Sequence, residues 1–165
     1  MFSICIYGDP VLRKKALPVN SFDDKLKSFI SDMIETMVKE DGVGLAAPQV
    51  GESIRVVVID PTGGENDPYI LINPEITFLS EETEVNEEGC LSLPGVTLKV
   101  MRSIRVSVKA LDQNGKEFII ENAEGLLARA LQHEIDHLDG IMIIDHVSAL
   151  QRKMLSGKLK KLAKG

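Results

Sequence analysis

Gln132-His133-Glu134-Ile135-Asp136-His137-Leu138 is the stretch on which the reading of this chain turns. It is an H-E-x-x-H string, and on a helix the four-residue spacing puts both imidazoles on one face. Two neutral imidazoles so placed can bind one divalent cation at roughly 2.0–2.1 Å. Glu134 adjoins the first histidine and can act as a general base without being a ligand. A bare five-residue match also occurs in ordinary solvated helices, so the surroundings matter. In Glu124–Gly140, Leu127, Ala130, Leu131, Ile135 and Leu138 recur at helical intervals, and Gly140 is a natural stop. His133 and His137 continue the line of Leu126 and Ala130, which predicts that they point inward. Buried histidines need partners, and a metal would satisfy them. Downstream, His146 and aspartates are candidate third ligands, but no Glu follows His137. The best candidate lies upstream, at Cys90 in Glu88-Gly-Cys-Leu-Ser-Leu-Pro94, giving one thiolate and two imidazoles with a coordination position left open.

The 165 residues suit one domain with a substantial core. A composition of 44% hydrophobic and 27% charged residues is ordinary for a soluble globular protein. The net charge of −6 argues against a specific DNA binder. Charge is uneven: five Glu fall within 81–88, and six Lys or Arg with no acid within 152–164. Cys5 and Cys90 do not make a disulfide framework, and Cys5 reads as a small buried residue. The N-terminus lacks the pattern of a secretory or transit signal, and no apolar run approaches the roughly 20 residues that span a bilayer. A cytoplasmic protein without membrane partners is expected.

Along the chain, Ser21 with Asp24 resembles a capping box, and a helix should follow to about Lys39. Its apolar stripe is Leu26, Phe29, Ile30, Met33, Met37 and Val38, with the methionines read as core filling. Gly42-Val-Gly-Leu-Ala-Ala-Pro-Gln-Val-Gly51 reads as a tight, almost uncharged loop whose only polar side chain is Gln49. It is no phosphate loop, because the Gly-Lys-Ser/Thr ending is missing. Strands are predicted at Arg55–Asp60, Tyr69–Asn73, Ile76–Ser80, Thr97–Val100, Ile104–Asp112 and Glu117–Glu121, with a hairpin turn at Asp112-Gln-Asn-Gly115. The acidic run 81–88 reads as a solvated loop or strand edge, and Ile141–Ile144 as a short buried strand. Ser148 to Lys164 reads as one basic amphipathic helix. The expected fold class is α+β: mostly antiparallel strands packed around a central helix bearing the H-E-x-x-H string, with N-terminal and C-terminal helices, in a single catalytic domain over 1–165.

Three stretches stand in order: Gly42-Val-Gly-Leu-Ala-Ala-Pro-Gln49, Glu88-Gly-Cys-Leu-Ser92 and Gln132-His-Glu-Ile-Asp-His-Leu138. Together they resemble the signature motifs of the peptide deformylases, and Gly8-Asp-Pro-Val-Leu-Arg13 and Ala110-Leu-Asp-Gln-Asn-Gly115 extend the likeness over nearly the whole chain. The resemblance implies a metal-dependent hydrolase that takes the formyl group from formyl-methionine at the start of new proteins. It implies Cys90, His133 and His137 as metal ligands and Glu134 as general acid/base. Gln49 and the Leu91 N–H would stabilise the developing oxyanion. Val43, Gly44, Leu45, Gly89 and Arg129 would line the substrate cleft, and Arg102 would pair with Glu88 and brace the Cys90 loop. The family's usual proline before that arginine is replaced here by Met101. One divalent metal is implied, Fe²⁺ first, with Zn²⁺, Ni²⁺ or Co²⁺ compatible with the same donors. Nascent formyl-methionyl peptides are the implied partners, with the ribosome a further one through the basic segment 148–165. The other readings open to the residues are a metallopeptidase cleaving internal bonds and a structural metal module. Glu134 argues against the second, because a structural site needs no acid beside its ligands.

Overall fold

Val56–Ile59 is four apolar residues with no alternation, and each is fully buried. Such a run fits a strand covered on both faces, and the computed structural model, which describes residues 1–165, places it so. The elements run α1 (Asp24–Lys39), β1 (Gly44–Ala46), β2 (Val56–Ile59), β3 (Tyr69–Leu79), β4 (Thr83–Gly89), β5 (Thr97–Ser103), β6 (Val106–Leu111), β7 (Glu117–Ala123), α2 (Gly125–Leu138), α3 (Ala149–Met154) and α4 (Ser156–Ala163). Five strands form one antiparallel sheet in the order β1-β2-β3-β6-β7, and β4 and β5 form a separate antiparallel hairpin. The molecule is a mixed α/β fold with antiparallel sheets and four helices.

Helices cover both faces of the large sheet. On one face Leu26, Ile30, Met33 and Met37 of α1 pack with Leu45, Val56, Val58 and Ile72. On the other, Ala128, Leu131, Ile135 and Leu138 of α2 pack with Ala46, Val57, Ile59 and Leu71. Alternate residues of β1 and β2 thus feed opposite layers, as the two-residue period of a strand requires. Each large side chain so buried contributes roughly 1.5–3 kcal/mol. A third cluster joins β5 (Leu98, Val100) to Leu93, Val96, Met142–Ile144 and Leu159 of α4. No helix is long and apolar enough to cross a membrane.

Several expectations are corrected. The cap of α1 is Asp23, whose carboxylate accepts from the Leu26 N–H at 2.9 Å, rather than Ser21. Within the glycine-rich loop, Gly44–Ala46 pairs with β2 as an edge strand and Ala47–Val50 makes a 3-10 turn. The two strands predicted at 69–73 and 76–80 are one, because Asn73 (φ 52°) adds a bulge instead of a break. Its side chain pairs with both the N–H and the C=O of Val19. Of the two readings of the acidic run, the strand holds, because Thr83–Gly89 finds a full ladder of partners in Thr97–Ser103. Ile141–Ile144 is no strand: Ile143–His146 is a 3-10 turn, capped where Asp145 accepts from the Met142 N–H at 2.9 Å. The basic C-terminal segment is two helices divided at Leu155, not one. Val38 and Leu126 are exposed, at the ends of their apolar stripes.

Asp145 ties four segments together. It accepts from Arg13 at 2.6 Å, from Arg152 at 3.3 Å and from the Met142 N–H. Burial alone would raise its pKa, but the bonds from Arg13 and Met142 and the nearby charges hold it below the usual carboxylate value. A depressed folded-state pKa gives stability that is present above the unfolded value and lost as pH falls through the folded one. Asp145→Asn should therefore lower stability by about 1 kcal/mol at neutral pH, with the deficit shrinking below about pH 4. Thermal melts of both proteins across pH 3–7 check this; a deficit that grows on acidification contradicts it.

Candidate active site

The first turn of α2 opens at Gly125 (φ 60°), and the helix is stopped at Gly140 (φ 75°), where a Cβ would lie 2.7 Å from the Arg13 carbonyl oxygen. Its rotation is fixed by Gln132. The Gln132 amide accepts from the Ser103 N–H at 3.1 Å and donates to the Ser103 C=O at 2.9 Å, pairing helix to strand as a β-ladder partner would. That rotation turns His133 and His137 inward, with His137 only 1% exposed. Cys90 follows β4 and opens a turn closed by Leu93 N–H to Cys90 C=O. Its Sγ lies 3.3 Å from His137 Nε2. The donor atoms of Cys90, His133 and His137 all lie within 4.8 Å of one another. A thiolate and two imidazoles converging so closely are a donor set that fits a divalent transition metal.

The tautomer of His133 is settled by its neighbour. Its Nδ1 is 2.9 Å from Glu88 Oε1. A carboxylate can only accept, so Nδ1 carries a proton and Nε2 is the nitrogen left to meet a metal. Glu88 takes three more bonds, from Arg102 Nε (3.0 Å) and Nη2 (2.9 Å) and from Arg129 Nη1 (2.5 Å). Burial would raise its pKa, but the bonds and charges of His133 and Arg102 hold it well below the carboxylate range. Arg102 is on the inward face of β5 beside Leu98 and Val100, and it also donates from Nη1 to Asp136 at 2.7 Å. Asp136 in turn meets His146 Nε2 at 2.7 Å. His146, read from sequence as a surface or capping residue, thus ends a chain of contacts leading inward to His133.

The electrostatics favour a cation. Burial opposes charge on His133, but the carboxylates of Glu134 and Glu88 and the Cys90 sulfur draw its pKa well up. Burial holds His137 well below its ordinary value, so its imidazole is neutral and able to ligate. Burial pushes Glu134 up to about 7, near the optimum for a group that takes and returns a proton at neutral pH. Glu134 Oε1 and His137 Nδ1 are buried with no protein partner.

Glu134 is approached by backbone. A Cβ at Gly44 would lie 2.7 Å from Glu134 Oε2, so any side chain there would push the carboxylate from its place. Gln49 is 1% exposed. Its Oε1 accepts from the Ala46 N–H at 3.0 Å, which turns Nε2 toward Ser92 Oγ (3.1 Å) and Cys90 Sγ (3.6 Å). The Leu91 N–H makes no hydrogen bond within the protein. All of this faces a cavity of about 660 Å³, walled by residues 40–44, by 87–97 and by the Leu126–Glu134 face of α2.

The structure therefore brings together Gln49, Cys90, Leu91, His133, Glu134 and His137, with Val43, Gly44, Gly89 and Arg129 on the cavity wall. The side chain of Leu45 does not line the cavity: strand alternation turns it into the core beneath α1, fully buried. Sequence reasoning missed Gln132, Asp136, Ser92 and the inward role of His146. Asp136 stands three residues after His133 inside the motif, and that was the only available signal.

The chain can now be set beside known proteins. The family model described as Polypeptide deformylase matches residues 1–153. A peptide deformylase of a Thermotoga species is 51% identical over 164 residues, 99% of this chain and 98% of its own. One from Brucella suis is 49% identical over 97% of this chain and 92% of its own. The crystal structure of a peptide deformylase from Legionella pneumophila superposes with a TM-score of 0.92 at 46% identity, covering 99% and 96% of the two chains. That from Thermotoga maritima gives 0.85 at 52% identity, covering 90% and 98%. The chain belongs to the peptide deformylase family, the metal-dependent hydrolases that remove the N-formyl group from newly made polypeptides.

Proposed function

We propose that deformylation in this chain is carried out by Glu134, Gln49 and the Leu91 N–H around one divalent metal held by Cys90, His133 and His137. The observation that carries this is Glu134 itself: a buried carboxylate with an unpartnered oxygen, opening on the cavity beside His133. A cation in this donor set supplies Lewis acidity, which acidifies a water and polarises the formyl carbonyl. Glu134 accepts the proton of the attacking water as the new C–O bond forms. Gln49 Nε2 and the Leu91 N–H donate to the formyl oxygen as it gains charge, and losing one such donor costs about 10²–10³ in rate. Glu134 then delivers the proton to the departing amine nitrogen as the C–N bond breaks, leaving formate and a free N-terminus. Val43, Gly44 and Gly89, with the backbone of Leu45, guide the peptide along the cleft.

In this reading α2 is the centre round which the strands pack, and residues 1–165 are a single catalytic domain. Iron is the native metal, with zinc, nickel or cobalt able to replace it, since one soft sulfur and two imidazoles suit all four. The enzyme works in the cytoplasm. Lys153, Lys160 and Lys161 are exposed on α3 and α4 and form the basic face that docks on the ribosome. Substitution of these three by Glu tests docking more cleanly than deletion, because Leu159 of α4 is part of the core. Loss of co-sedimentation with ribosomes is expected, and unchanged co-sedimentation removes the docking role.

The central test is formate release from a formyl-methionyl peptide by protein purified without oxygen and loaded in turn with Fe²⁺, Zn²⁺, Ni²⁺ and Co²⁺. Fe²⁺ protein should be active; inactivity in every form sinks the assignment. Glu134→Ala should keep its metal and lose about 10²–10⁴ in kcat, whereas Cys90→Ala should lose metal on challenge with a chelator. Turnover retained in Glu134→Ala would remove its assigned role.

Gly44→Ala gives an independent check on how tightly Glu134 is held. The added methyl meets the carboxylate and its Cγ at under 3 Å. It should displace Glu134 and lower kcat about 10²-fold, a cost typical of misplacement by about 1 Å, with metal content unchanged. Wild-type kcat in this variant would show that Glu134 does not act from its observed position.

A further inference from the structure

Arg102 has more donors than Glu88 can take. Nε and Nη2 grip the two oxygens of Glu88, and Nη1, on a side chain only 4% exposed, must find another acceptor. It finds Asp136 Oδ2 at 2.7 Å, and His146 Nε2 meets the same oxygen at 2.7 Å. A carboxylate only accepts, so His146 carries a proton on Nε2 and donates it. The 3.4 Å contact between Nε2 and Arg102 Nη1 then brings two donors together and is no bond. Arg102 and His146 are the two protein donors that hold the Asp136 carboxylate.

His146 reaches Asp136 from a fixed perch. It ends the 3-10 turn Ile143–His146, whose Ile143 and Ile144 are buried against Leu98 and Val100 of β5. Asp145 caps that turn through the Met142 N–H and is itself held by Arg13 and Arg152. The imidazole is the outermost member of the row, with its side chain 31% exposed. Without its N–H, Asp136 keeps one protein donor and an open route to water. A carboxylate that turns outward leaves Nη1 of a buried guanidinium with no acceptor.

We propose that His146 is a positioning residue for the metal site: its N–H holds Asp136 on Arg102, Arg102 thereby keeps its fork on Glu88, and Glu88 aims the imidazole of His133. This rests on the reading that Cys90, His133 and His137 hold the metal. His146 is neither one of the converging donors nor part of the cavity wall, so it acts through three other side chains. Outer partners of a ligating imidazole carry about 10–100-fold in metal affinity, and a residue this far out should carry about tenfold.

The test is competition between the full chain and a chromophoric chelator for Zn²⁺, with no substrate present. His146→Phe keeps the bulk of the ring and removes the N–H, and it should bind Zn²⁺ about tenfold more weakly than wild type. His146→Gln brings an amide N–H to the same carboxylate and should recover affinity to within about twofold. His146→Ala should lose at least as much as His146→Phe and replaces it if melting of the metal-free protein shows the phenylalanine variant unfolded. On an Asp136→Asn background His146→Phe should cost less than about twofold more, because the two residues act in one chain. Wild-type affinity in a folded His146→Phe or His146→Ala protein overturns the proposal. So does a loss in His146→Gln equal to that in His146→Phe, or an undiminished loss on the Asp136→Asn background. Absence of Zn²⁺ binding by wild type, or undiminished binding by Cys90→Ala, overturns the metal reading and this proposal with it.

Discussion

One buried carboxylate organises the site. Glu88 accepts from Arg102 twice, from Arg129 and from His133, and every lone-pair direction it offers toward the interior is used. An unpaired carboxylate at this depth would be protonated or expelled, because the loss of hydration is worth several kcal/mol. Paired as it is, Glu88 stays ionised and fixes the tautomer of His133. It also joins the β4–β5 hairpin to α2, and with them the two sources of the candidate metal donors. Cys90 comes from one and the histidines from the other.

The rest of the fold holds α2 at the right height and rotation. Ala128, Leu131, Ile135 and Leu138 bury its apolar face against β1, β2 and β3. Gln132 locks its rotation on Ser103, and Arg102 and Asp136 close the far end of the motif. The histidines are then displayed on a helix that can neither roll nor slide. Preorganisation of this kind is what electrostatic stabilisation of a transition state needs, since no side chain has to move when charge develops. Gly44 completes it by letting backbone close on Glu134 with no intervening methyl group.

Much of the architecture was legible because its signals are local. The three-residue and four-residue recurrence in Leu127–Leu138 and in Leu26–Met37 depends only on helix geometry, and both helices lie where it predicted. The unbroken run Val56–Ile59 marked a buried strand. Where pairing is non-local the reading failed. Thr83–Gly89 carries three of the five acids of its run, and loop and strand edge stay open until Thr97–Ser103 is laid beside it. Ile141–Ile144 has strand composition but no strand to pair with, and Asp145 folds the segment into a 3-10 turn instead. Composition and spacing gave Arg102 no interior signal; its pairing with Glu88 was implied by family resemblance alone, because a charge on the core face of a strand is intelligible only once its carboxylates are in view.

The sequence by itself determined the candidate groups: an H-E-x-x-H helix, a cysteine upstream as the best candidate for a third ligand, and one amide in an apolar loop. Those are properties of residue type and short spacing, which no folding event can alter. Only the tertiary structure decided that Cys90 Sγ and His137 Nε2 stand 3.3 Å apart, that Gln49 turns its N–H₂ toward the thiol, and that Arg129 donates to Glu88 and to carbonyls of both hairpin strands. These are relations between segments separated by 29 or more positions. Their energy comes from desolvation and hydrogen-bond geometry, and neither exists until the hairpin, the sheet and α2 have packed together.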